Sequence, residues 1–199
     1  MLLITTSRRA SRRSRSLARD LSRIVNSQRI NRGKLSLKGV MAEALVRGCK
    51  RILIVNTFRG NPGSIDIYAI ESLETGSLQE ESLERYTIRL RGRIILRSVR
   101  LSREISGRSC GIKDVFILDR SSCTSETCDK LIMLLKEILP IKEEKRSIDV
   151  YNWIYLKESH DSIQVSFKNN RGEICGPIIS VAKIILYDQG SSQELYIQR

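Results

Sequence analysis

Residues 2–34 read LLITTSRRASRRSRSLARDLSRIVNSQRINRGK, and the fold class turns on this stretch. Leu2–Thr5 is apolar and short enough for a buried strand. Ser7 is placed to cap a helix over residues 8–25. At 100° per residue Ala10, Ser14, Leu17, Ala18, Leu21, Ile24 and Val25 fall on one arc. Arg8, Arg12, Arg15, Arg19 and Arg23 fall on another, with Arg9 and Arg13 extending it at the N-terminal end. Such a helix packs one face and offers an arginine row on the other. A strand followed by an amphipathic helix of this length opens an α/β or α+β arrangement.

Working outward, Gln28–Asn31 is a second short strand and Asn31–Lys34 a basic turn. Ser36 caps a helix whose apolar face is Leu37, Val40, Met41, Ala44 and Leu45, and Gly48 ends it. Ile52–Val55 suits a strand buried on both faces. The turn Gly60-Asn61-Pro62-Gly63 leads into a hairpin arm carrying Ile65, Ile67 and Ala69. An acidic link follows at 71–84, then strands at 85–91 and 94–101. Val115–Leu118 is another buried strand, and Thr124 or Ser125 caps a helix through Leu139, stopped by Pro140. Residues 150–156, 162–168 and 179–187 read as strands, with a hairpin turn at Asn169–Gly172. The last dozen residues read as a strand or a frayed tail. No short repeat is present, yet each half holds a buried apolar strand, a helix and a hairpin.

Charge separates function classes. The 199 residues carry 35 Lys and Arg against 22 Asp and Glu, a net of +13. Residues 1–60 hold 15 of the basic side chains and only two acids, Asp20 and Glu43, while residues 61–199 balance at 20 of each sign. Local ion pairing cannot absorb such an excess, so a polyanion partner is expected. Nucleic acid fits better than an anionic membrane, because the basic helix lacks a bulky aromatic face. No helix-turn-helix spacing, zinc finger or aromatic RNA-recognition signature occurs, and contact with phosphates and shape is the expected mode.

Catalytic signals are weak. The lone histidine, His160, reads as a solvated loop residue before Asp161-Ser162. Gly33-Lys34 does not complete a phosphate-binding loop, since Leu35 stands where the magnesium hydroxyl is needed. Gly107 and Gly111 are too close for a dinucleotide fingerprint. Cysteines at 49, 110, 123, 128 and 175 form no Cys-x-x-Cys pair and read as buried free thiols, with an intracellular disulfide the alternative in a hyperthermophile. No metal, cofactor, small-molecule substrate or catalysis is expected. No apolar run approaches membrane-spanning length, and an intracellular protein is expected.

Leu3-Ile4-Thr5-Thr6-Ser7-Arg8, the Arg/Ser helix, Arg29-Ile30-Asn31-Arg32-Gly33-Lys34-x-Ser36-Leu37 and Gly60-Asn61-Pro62 occur in this order. Together they closely resemble the Brix domain in its short archaeal form, strongly over residues 2–70 and only in length and strand order beyond. Ala10 departs from it, standing where relatives often have proline. The resemblance implies one domain over 1–199 with halves at 1–75 and 76–199, each like the anticodon-binding domain of class II aminoacyl-tRNA synthetases. It implies a cytoplasmic ribosome-biogenesis factor that binds rRNA or pre-rRNA, with ribosomal or assembly proteins as further partners. The expected RNA-binding set is Arg8, Arg9, Arg12, Arg13, Arg15, Arg19, Arg29, Arg32, Lys34 and Arg59, with Arg89, Arg91 and Arg93 as the opposite wall of a groove. A basic module docking an acidic protein, or an RNA-modifying enzyme, is the alternative.

Overall fold

The computed structural model describes residues 1–73, 84–105, 115–142, 152–187 and 192–197. The first strand, β1 (Leu2–Thr6), lies between two parallel neighbours, β2 (Gln28–Arg29) and β3 (Arg51–Phe58). Helix α1 (Arg12–Ile24) connects β1 to β2, and α2 (Leu37–Val46) connects β2 to β3. The two helices cover opposite faces: α1 contributes Leu17, Ala18, Leu21 and Ile24 to one core, and α2 contributes Val40, Met41 and Ala44 to the other. That division follows from the alternation in β3. Leu53 and Val55 face α1, while Ile52 and Ile54 face α2. β3 then turns into the antiparallel β4 (Asn61–Leu73), which pairs with the 17-residue β5 (Glu84–Arg100).

The second part repeats this order. β6 (Phe116–Ser122) lies between parallel β7 (Ile141–Lys142) and β8 (Asn152–Ser159), with α4 (Glu126–Ile138) following β6. β9 (Ser162–Lys168) and β10 (Ile174–Leu186) complete an antiparallel meander. The order β2-β1-β3-β4-β5 thus recurs as β7-β6-β8-β9-β10. The two runs join antiparallel through β5 and β10, from Ile178↔Arg100 to Leu186↔Gly92. A short helix, α3 (Ser102–Ile105), follows β5, and β11 (Ser192–Ile197) pairs antiparallel with β5 as a branch.

One core serves both runs. α1, α4 and the facing residues of β1, β3–β6 and β8–β10 form a single apolar cluster. The contact is crossed. Gly176 of β10 lies against Ile24 of α1, and a Cβ there would stand 2.6 Å from its Cδ1. Gly92 of β5 lies against Leu134 of α4, also with 2.6 Å to the nearest methyl. Each helix therefore also packs on the last strand of the other run, at the centre of the joined sheet.

Several expectations are corrected. The first helix starts at Arg12, not residue 8. Ser11 is its N-cap and accepts from the Ser14 N–H, whereas the Ser7 N–H donates to the Val55 carbonyl. Arg8, Arg9 and Ala10 consequently lie in the turn ahead of the helix, so the Ala10 departure does not touch its first turn. The two strands expected at 85–91 and 94–101 form one strand, Glu84–Arg100. Cys123 and Cys128 are bridged, with Cα atoms 5.8 Å apart, and Cys175 is also disulfide-bonded. Cys49 is the buried free thiol among the described residues. Gly107, Cys110 and Gly111, and most of the acidic link, lie outside the described residues. Among the described residues no helix is long and apolar enough to cross a membrane.

Candidate nucleic-acid interface

The connections leaving β1 and β2 diverge to opposite faces of the sheet, which makes a topological switch point at the C-terminal ends of these strands. Two turns stand there: 7–11 before α1, and 30–36 before α2. The Thr5 hydroxyl donates to the Ile30 carbonyl and pins the second turn to the first strand, at 3.0 Å. The Nε of Arg8 and the Nε of Arg32 both donate to the Leu35 carbonyl, each at 3.2 Å. Two guanidinium groups thus converge on one neutral acceptor. Burial, and next the charge of Arg8, push the Arg32 pKa down. Two crowded cations without a carboxylate gain most from an anion placed between them.

The start of α1 is fixed by a compact hydroxyl network. The Ser11 N–H donates to Thr57 Oγ1 at 3.1 Å, and that hydroxyl donates to Ser14 Oγ at 2.8 Å. Ser14 is buried, and Leu17, Ala18, Leu21 and Ile24 continue the same face. The opposite face is therefore held toward solvent, with Arg12, Arg15, Arg19 and Arg23 exposed. Arg15 donates to the Ala10 carbonyl at 2.6 Å. Among the described residues, Arg9, Arg12, Arg19, Arg23 and Lys34 have no hydrogen-bond or ion-pair partner for their side chains. The two nearby acids are engaged elsewhere. Asp20 accepts from the Ser102 N–H at 3.0 Å, and Glu43 pairs with Arg47 on α2.

The remaining expected residues divide differently. Arg13 turns away from the row, reaching Glu104 at 2.7 Å and the Val99 carbonyl at 3.0 Å. Arg29 lies exposed on β2 and donates to the Asn31 side chain at 3.2 Å. Arg59 sits at the tip of the β3–β4 hairpin with φ +47°. Arg89, Arg91 and Arg93 do not line up as a free wall. Arg89 pairs with Glu71, Arg91 with Glu137 of α4, and Arg93 with Asp66 through two bonds of 2.6 and 2.9 Å. The register explains the split: Ile67 faces Gly92 and Tyr68 faces Leu90, so Arg91 is the extra residue of a bulge.

The second run supplies an internal comparison. Aligning the helix caps sets Ser125 against Ser11 and Leu131 against Leu17, but Glu126 against Arg12 and Asp129 against Arg15. The cap contact changes as well. Where Thr57 receives the Ser11 N–H, Glu158 receives the Thr124 and Ser125 N–H groups at 3.1 and 3.2 Å. The N-terminus of α4 already holds a carboxylate, whereas that of α1 holds a neutral hydroxyl amid arginines. The two runs share a backbone plan and differ in charge. Among the described residues no group of three His, Cys, Asp or Glu side chains is arranged to hold a metal.

With this geometry established, comparison with known proteins gives consistent relatives. No family model matches the chain. A 106-residue stretch is 36% identical to a probable Brix domain-containing ribosomal biogenesis protein of Pyrococcus horikoshii, covering 53% of this chain and 42% of that protein. A similarly described protein of Thermococcus kodakarensis is 34% identical over 110 residues, covering 55% of this chain and 47% of the relative. The matched stretch spans less than half the length of these two relatives. A crystal structure of a probable ribosomal biogenesis protein from Aeropyrum pernix superposes with TM-score 0.69 at 27% identity, over 92% of this chain and 95% of that one. The structure of an archaeal Imp4-like protein shares the fold with TM-score 0.65 over 94% of this chain, at 24% identity. The resemblance to archaeal Brix domain-containing proteins, read from residues 2–70, is borne out.

Proposed function

We propose that this chain is a ribosome-assembly factor that grips rRNA or pre-rRNA by its phosphates and holds it without covalent chemistry. One observation carries the reading. Among the described residues the arginine row of α1 runs without a carboxylate partner into the Arg8/Arg32 pair, while the corresponding helix of the second run carries acids and its own carboxylate cap. The similarity to archaeal ribosomal biogenesis proteins supports the choice of polyanion. Arg8, Arg9, Arg12, Arg15, Arg19, Arg32 and Lys34 form the grip in this reading, with Arg29 and Arg59 at its borders. Arg13, Arg89, Arg91 and Arg93 shape the surface through their ion pairs.

The recurring strand order supports a single domain of two similar halves, the arrangement implied by a pair of domains like the anticodon-binding domain of class II aminoacyl-tRNA synthetases. Ribosomal or assembly proteins are the further partners in this reading, and the cytoplasm is the location. The test is equilibrium binding to structured rRNA fragments over a salt series. Each phosphate contact contributes about 0.7–0.9 to the slope of log K against log salt. Replacing Arg12, Arg15 and Arg19 together by Ala is expected to lower the slope by about 2 while circular dichroism stays native. Unchanged affinity and slope would remove α1 from the interface and overturn the reading.

A further inference from the structure

The β3–β4 hairpin, whose Thr57 bonds the start of α1, holds an aromatic ring in solvent. Phe58 is 65% exposed, and it is the one aromatic among the exposed large hydrophobic residues described. Three local features hold it there. Arg59 and Gly60 are both left-handed, with φ of +47° and +80°, which makes the turn tight. Gly63, the extra residue of a bulge between Pro62 and Ser64, lies close by, where a Cβ would stand 2.4 Å from the Phe58 Cβ. The Arg59 guanidinium lies 5.2 Å from the ring centroid. A strained non-glycine residue therefore sits next to an apolar ring that a merely structural hairpin would bury or dispense with.

The position relates this ring to the grip. Thr57, its neighbour in the chain, turns to the α1 face and is bonded to both Ser11 and Ser14, while Phe58 alternates to the opposite face at the end of the hairpin. On that face an open groove runs beside Phe58, lined also by Asn56, Arg93, Ile95 and Arg97. Asn56 spends its amide on the Ser64 hydroxyl at 3.2 Å, and Arg97 pairs with Asp161 on the surface. An exposed ring flanked by guanidinium groups, with an apolar floor and an amide alongside, has the chemistry of a stacking platform for a planar, electron-rich ring on an anionic backbone.

We propose that Phe58, with Arg59, stacks an unpaired nucleobase of the RNA whose phosphates lie along α1. This rests on the RNA-binding reading and narrows its substrate class to single-stranded or looped segments. Bases in a continuous duplex present no free face to the ring, so paired RNA engages the arginine row alone.

The test uses the full chain and three labelled probes: a 12-nucleotide single-stranded oligoadenylate, the same strand with central abasic positions, and a 12-base-pair RNA duplex. Phe58→Ala is expected to weaken the single strand by about tenfold or more. The salt slope should be retained, because no cation is lost. The duplex and the abasic strand should be affected little. Phe58→Trp should restore binding, and its emission should be quenched by the oligoadenylate with Trp153 as the wild-type background. Unchanged affinity of Phe58→Ala for the single strand would overturn the stacking role. If the Arg12/Arg15/Arg19 variant still loses affinity in that case, the RNA grip stands without it. A wild-type chain with no affinity for any of the three probes would overturn both.

Discussion

Single side chains decide which helix end is open to an anion. Glu158 and Thr57 occupy corresponding places against Ser125 and Ser11, and only the former is charged. Hydrogen bonding from Ser125, and next from the Thr124 N–H, holds the Glu158 carboxyl below its ordinary value of 4.5. A depressed carboxyl pKa contributes stability that is present above the unfolded value and lost as pH falls through the folded one. Glu158→Gln should therefore melt below the wild type at neutral pH, and the gap should close as the pH falls through the lowered folded-state value. Thermal denaturation across that range checks it, and a gap independent of pH would assign the loss to packing instead. Thr57→Glu poses the opposite question at α1. The new carboxylate would reach the same N–H and place a negative charge among Arg8, Arg9 and Arg12. RNA affinity is expected to fall several-fold while the helix cap is kept.

At the scale of elements, the glycines of the central strands set how closely each helix approaches. A methyl at Gly176 would meet Ile24 Cδ1 at 2.6 Å and Phe167 Cβ at 2.9 Å, and the second atom cannot swing aside. At Gly92 the obstructing atoms belong to the tip of Leu134, which has another rotamer to try. Gly176→Ala is expected to cost about 1–3 kcal/mol, and Gly92→Ala less. Urea denaturation of the two variants ranks them, and equal costs would contradict this account. None of this is visible in the sequence, where Gly92 falls between the expected strands 85–91 and 94–101 and Gly176 falls ahead of 179–187. What is legible there is local: the α2 cap at Ser36, its end near Gly48, the β3–β4 hairpin and the Ser125-capped helix all follow from short-range signals. The start of α1 fails for a physical reason. Ser7 and Ser11 are both good caps, and the choice is made by Thr57 and Val55, more than forty residues away. The arginine row shows in the helical period. That Arg13, Arg89, Arg91 and Arg93 meet carboxylates, and that Phe58 stands free at the end of the hairpin, depends on strand register and on bulges that no local pattern announces.

For the whole molecule, the crossed packing of α1 and α4 bears on how binding and folding are linked. Were each run to enclose its own core, a basic half would bind RNA and the other would be an independently stable neighbour. The single cluster excludes that division: α1 touches β10, α4 touches β5, and the β5–β10 ladder closes the sheet between them. A fault in the first run must therefore be felt in the second. Leu17 is fully buried in α1, and truncating it should cost about 2–5 kcal/mol. Trp153, the single tryptophan, lies on β8 in the second run, paired with Ile117 and Lys168. In Leu17→Ala the urea midpoint read by Trp153 fluorescence should shift as far as the midpoint read by far-ultraviolet circular dichroism, and the two curves should coincide. A Trp153 transition left at its wild-type midpoint would mean that the runs melt separately. Coincident curves would also predict that RNA bound on the α1 surface raises the Trp153 midpoint, because a ligand of the native state stabilises every part of a cooperative unit equally.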